Sequence, residues 1–150
     1  MEKVIRHQFF FAHPPEIVWE YLTNPALMEL WLMKNNFQLA LGAEFQFRTG
    51  AAPALNFDGI FHCKVLEIVP FKKLSYSWGA GPGNGEIQLD SVVVWKVEAT
   101  EKGTDVVLEH RGFAKVENLE FYNGLNQGWV EKFEKIAKLL KDSDHANTNA

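Results

Sequence analysis

Among the residues that could do chemistry, His110 is the most suggestive by type and spacing. It shares a strand face with Val106 and Leu108, while Asp105, Val107, Glu109 and Arg111 alternate with it. An imidazole on an apolar face can act as an acid, as a base or as a hydrogen-bond donor to a ligand. No motif sets a carboxylate or a nucleophile beside it. The preferred reading is therefore a hydrogen-bonded core histidine, and no residue is assigned a catalytic role. In an enzymatic reading, Tyr76 and Ser91 are the polar groups that would share a cavity with it.

The other reactive types are poorly supported. His62-Cys63 resembles the start of a metal site, but neighbours on a strand point to opposite faces and no second close pair supplies further ligands. His7 and His13 have no usable companions, so no metal and no cofactor are expected. Cys63 has nothing nearby to lower its pKa and make it a nucleophile. The glycine-rich segment GAGPGNG at 79–85 lacks a following Lys-Ser or Lys-Thr and joins two strands, which excludes a phosphate cradle. It reads as a mobile connection near a cavity mouth.

Aromatic content is the unusual figure: 12 Phe, 5 Trp and 3 Tyr in 150 residues. Rings in such number can pack a core or wall an apolar ligand pocket. Parity and spacing collect Trp31, Phe47, Phe61, Trp78, Trp95, Trp129 and Phe133 with His110 as candidate pocket residues.

The bulk properties limit the partners. Net charge is −4 with Lys and Arg scattered, which is no footprint for nucleic acid. No run approaches 18 apolar residues, so no membrane span is expected. The single cysteine excludes an internal disulfide and fits a reducing compartment, and a cytoplasmic location is expected. Length suggests one domain over 1–141, with 142–150 a disordered polar tail.

The elements that must position these residues follow from periodicity. Residues 4–12 read as a strand. Pro14-Pro15-Glu16 opens a helix carrying Ile17, Val18, Tyr21 and Leu22. Asn24-Pro25 caps a second, with Leu27, Leu30 and Trp31 as its apolar side. From Gly42 the period falls to two, giving five or six antiparallel strands joined as a meander. Parity changes between Phe61-Cys63-Val65 and Leu66-Ile68, which calls for a bulge near Val65. Gly103 is read as supplying a positive φ to the last hairpin. After residue 118, Tyr122, Leu125, Trp129, Phe133, Ile136 and Leu140 form one helical stripe. Gly124 and Gly128 interrupt it, which suggests close backbone approach beside a bulky ring.

An ordered set of segments resembles the START-related helix-grip (SRPBCC) superfamily, in the branch of activator of heat-shock-protein-90 ATPase homologues. The segments are AHPPEIVWEYLTNPALMELW at 12–31, Gly42 with Phe45, Gly59 to Pro70, LSYSW at 74–78, GTDVVLEHRGF at 103–113 and NQGW at 126–129. The resemblance implies an α+β fold, a curved antiparallel sheet of six or seven strands wrapped around a long C-terminal helix. It further implies a cavity that holds a hydrophobic small molecule. The alternatives it leaves open are a cyclase- or hydrolase-like enzyme, and a chaperone-linked interaction module of the stress response.

Overall fold

The computed structural model describes residues 4–50, 58–80, 89–112 and 119–148. The chain runs β1 (Ile5–Phe11), α1 (Pro15–Thr23), α2 (Pro25–Trp31), β2 (Lys34–Asn35), β3 (Glu44–Arg48), β4 (Ile60–Val69), β5 (Lys73–Ala80), β6 (Leu89–Ala99), β7 (Thr104–Arg111) and α3 (Leu119–Thr148). All strands join one curled antiparallel sheet in the order β1-β7-β6-β5-β4-β3-β2. Strands β2 to β7 are a meander, and β1 closes onto β7. This is the helix-grip arrangement, with two short helices after the first strand and α3 across one face of the sheet. The two-residue β2 is too short to show a period and was not read from the sequence.

Local chemistry explains the short helices. Pro14 caps α1 with a proline in its first turn, and the Asn24 side chain accepts from the backbone N–H groups of Ala26 and Leu27 to start α2. Two expectations about their apolar sides are corrected. Leu30 is 58% exposed and Ile17 is 43% exposed, while Met28 and Trp19 take the buried positions. The other expected positions Val18, Leu22 and Trp31 are buried.

The bulge falls where parity demanded it. Val65 pairs with Tyr76 and Glu67 with Ser75, so Leu66 is the extra residue, and Ile68 turns back to face inward opposite Leu74. Charge is sorted to the outer face. Burial pushes the Glu109 carboxyl there upward, but Arg111 and Lys96 overcome it and hold the group below its usual range, with Arg6 at 3.8 Å from the same carboxylate.

Trp129, Phe133, Ile136 and Leu140 of α3 are buried against the sheet, with Phe133 stacked on Phe9 at 5.5 Å. The close approach expected at Gly128 is not found. A Cβ built at Gly124 or Gly128 meets nothing within 4 Å. The reason is helical geometry: one residue turns about 100°, which carries Gly128 off the face that Trp129 buries. Nothing in the structure explains these two glycines. The close approach occurs instead at Gly103, where a Cβ would run into the Phe11 carbonyl oxygen. Its φ is not positive, so proximity and not a left-handed turn requires glycine there. The backbone of α3 continues to Thr148, so the boundary expected at 141 falls inside the helix. The buried stripe itself ends at Leu140.

Candidate ligand-binding site

Alternate connections of a meander lie at the same end of a sheet. Strands β3, β5 and β7 therefore end, and β4, β6 and α3 begin, at one edge. That edge gathers Phe47, Phe61, Trp78, Ser91 and His110 on the inner face, with Trp129 reaching down from α3. Trp78 is the hub. Its ring lies 4.5 Å from Phe61, 5.2 Å from Phe47, 5.5 Å from Trp129 and 5.6 Å from His110. Trp95 extends the layer to Trp129, Phe133 and Trp31, at 5.6, 5.7 and 5.8 Å. Most of these pairs meet edge to face or tilted, the favourable arrangement for rings with opposed quadrupoles.

A chain of hydrogen bonds threads the rings. Trp129 Nε1–H can only donate, so at 3.1 Å it makes His110 Nδ1 the acceptor. The neutral imidazole then carries its proton on Nε2 and donates it to Ser91 Oγ at 2.8 Å. Ser91 passes its own proton to the Trp78 carbonyl at 2.7 Å. Burial pushes the His110 pKa down to about 3, which keeps the ring neutral. The arrangement is unsuited to a serine nucleophile. A general base needs a free nitrogen facing the hydroxyl, and here that nitrogen holds the proton.

The indole N–H groups separate into two kinds. Trp31 donates to the Tyr21 carbonyl at 2.8 Å, Trp95 to the Tyr76 hydroxyl at 3.0 Å, and Trp129 to His110. Trp78 Nε1 is buried and has no hydrogen-bond partner among the described residues. The Tyr76 hydroxyl accepts from Trp95, and no acceptor for its own proton is found among the described residues. Burial raises the pKa of Tyr76 and of Cys63, so neither ionises near neutrality.

All eight candidate pocket residues are buried: Trp31, Phe47, Phe61, Trp78, Trp95, His110, Trp129 and Phe133. Five of them, Phe47, Phe61, Trp78, His110 and Trp129, belong to the Trp78 end, whereas Trp95 meets Trp129 and carries the layer on to Trp31 and Phe133. Phe45 and Phe37 were missed. They pack edge to face at 4.9 Å, and both rings meet Tyr76. Phe45 shares the alternating face of Phe47, a signal that was available; Phe37 follows a strand too short to show one. His7, given no companion from the sequence, bonds Asn126 Oδ1 of α3 at 2.9 Å. Among the described residues no group of three or more His, Cys, Asp or Glu could hold a metal ion. Of the glycine-rich segment, Gly79 and Ala80 complete β5, and 81–85 lies outside the described residues. No helix among the described residues is long and apolar enough to cross a membrane.

Comparison with curated proteins returns no match. Among solved structures, protein MLL2253 from Mesorhizobium loti is 35% identical, covering 93% of this chain and 98% of its own, with a TM-score of 0.81. Protein NE0264 from Nitrosomonas europaea shares the fold at 20% identity, 95% and 96% coverage and a TM-score of 0.74. DynU16, described as a protein of the dynemicin biosynthetic locus, shares it at 18% identity and a TM-score of 0.73. The match covers 92% of this chain and 47% of DynU16. The family model described as activator of Hsp90 ATPase homolog 1-like protein matches residues 12–141. With that span and the fold in agreement, the chain belongs to the activator of Hsp90 ATPase homolog 1-like family of the START-related superfamily.

Proposed function

We propose that this protein binds one apolar or aromatic small molecule between the inner face of the sheet and α3, as a binding protein and not as an enzyme. The Trp78 indole carries this reading: it is a fully buried donor without an acceptor among the described residues, inside a layer whose neighbouring indoles are all satisfied. Buried donors are almost always paired, and one left over at an aromatic wall is suited to a ligand. The eight candidate pocket residues supply the wall. The inward positions of β3 to β7 among the described residues carry no Lys, Arg, Asp or Glu, which favours an uncharged occupant.

The cyclase- or hydrolase-like reading draws less support. It needs His110 as a base and Ser91 or Tyr76 as a reacting group, and the hydrogen-bond chain commits His110 and Ser91 to one another in the inactive sense. A thermal-shift screen of uncharged hydrophobic compounds tests the proposal. A ligand selective for the folded state at 100 times its Kd should add about 2.7 kcal/mol of stability and raise the Tm. If no compound saturates, the filled layer becomes a plain core, and the assignment moves to a chaperone-linked role of the outer surface.

A further inference from the structure

From the Trp78 indole and its surroundings, we infer that the bound molecule is a neutral aromatic carbonyl compound whose oxygen accepts the Trp78 N–H. The inference rests on the binding reading above and adds the ligand's chemistry. Three observations converge. First, Trp78 Nε1–H has no acceptor among the described residues although Trp78 is 1% exposed. Second, Tyr76, two residues away on the same inward face of β5, has a hydroxyl whose proton finds no acceptor among the described residues. A carbonyl oxygen has two lone pairs and can take one donor or both. Third, the groups around Trp78 are rings: Phe61, Phe47, Trp129 and the His110 imidazole, which stack on or edge against aromatic partners.

Charge decides against a carboxylate, the other common oxygen acceptor. No cation stands on the described inward positions of β3 to β7, and His110 stays neutral because both ring nitrogens are engaged and burial opposes protonation. A carboxylate brought there would lose its hydration without a counter-charge. A ketone or quinone oxygen gives the same hydrogen bond at far lower desolvation cost.

The test uses matched pairs: 1-indanone with indane, and 9-fluorenone with fluorene, plus fluorene-9-carboxylate as the anion. Affinities are measured by calorimetry on the whole chain. The ketone of a pair should bind about tenfold tighter than its methylene counterpart, since satisfying a stranded buried donor is worth that much. Trp78→Phe should reduce the preference of ketone over hydrocarbon to within about twofold, whatever it does to the affinity for both. If Trp78→Phe does not fold, the carbonyl stretch of the wild-type complex decides, because a hydrogen-bonded ketone absorbs at lower wavenumber than the same ketone in hexane. Equal binding of ketone and hydrocarbon, an unshifted carbonyl stretch or tighter binding of the carboxylate would overturn the inference and leave the binding reading standing. Saturation by other apolar compounds with no binding of either ketone overturns it too. If no apolar compound of any class saturates, the binding reading itself fails.

Discussion

Trp129 Nε1–H donates to His110 Nδ1 at 3.1 Å, so one bond joins the long helix to the last strand and fixes the imidazole tautomer. The ring that fills the space beneath α3 is thus also the group that sets the proton on the far side of His110. Trp129→Ala should destabilise by about 3–5 kcal/mol through the cavity it leaves. Trp129→Phe keeps most of the packing but removes the donor to His110 Nδ1, for a loss of about 1–3 kcal/mol. Urea unfolding followed by circular dichroism measures both. A loss near zero in Trp129→Phe would mean that the hydrogen bond contributes nothing.

His110 should make stability depend on pH in one direction. Its folded pKa lies near 3, below the ordinary 6.5 that the unfolded chain has. Between those values the unfolded state binds more protons. The contribution is therefore fully present above pH 6.5 and is lost as pH falls toward 3. The slope should approach about 1.4 kcal/mol per pH unit in that window. Unfolding free energies of wild type and His110→Leu, measured from pH 7 to pH 4, should converge as the solution is acidified. Parallel profiles would show an imidazole that titrates normally.

Ser91 should be chemically inert. Its proton is committed to the Trp78 carbonyl and the facing nitrogen of His110 is a donor. A fluorophosphonate probe should leave the protein unlabelled by intact-mass spectrometry. Labelling at Ser91 would return the hydrolase reading to first place.

Two glycines should respond oppositely to alanine. Gly128→Ala meets open space on a helix and should stabilise by about 1 kcal/mol. Gly103→Ala drives a Cβ into the Phe11 carbonyl and should destabilise by about 1–3 kcal/mol. Thermal denaturation of the two variants beside wild type checks the signs.

The pair also marks what was legible in the sequence. Period-two patterning located the strands from β3 to β7 and the bulge beside Val65, because side-chain parity is a local property that burial enforces. The stripe from Trp129 to Leu140 was legible for the same reason. Glycine roles were not, since a contact between Gly103 and Phe11 depends on β1 closing against β7, over 90 residues away in sequence. The candidate site was half legible. Parity collected the aromatic rings and His110, but the partners of His110 come from β6 and α3, and no spacing rule links them. The unpaired Trp78 nitrogen was invisible: the sequence cannot tell a satisfied indole from a stranded one.

The central claim is that a small molecule is held between sheet and α3, and a nitrogen–proton correlation spectrum recorded during titration with 9-fluorenone tests it most directly. The five tryptophans provide five indole signals, assigned by single Trp→Phe variants. Saturable shifts concentrated at the indoles of Trp78, Trp95 and Trp129, with Trp78 moving downfield, are the predicted result. Shifts confined to the outer apolar residues Phe10, Leu41 and Phe71, with those three indoles unmoved, would contradict it.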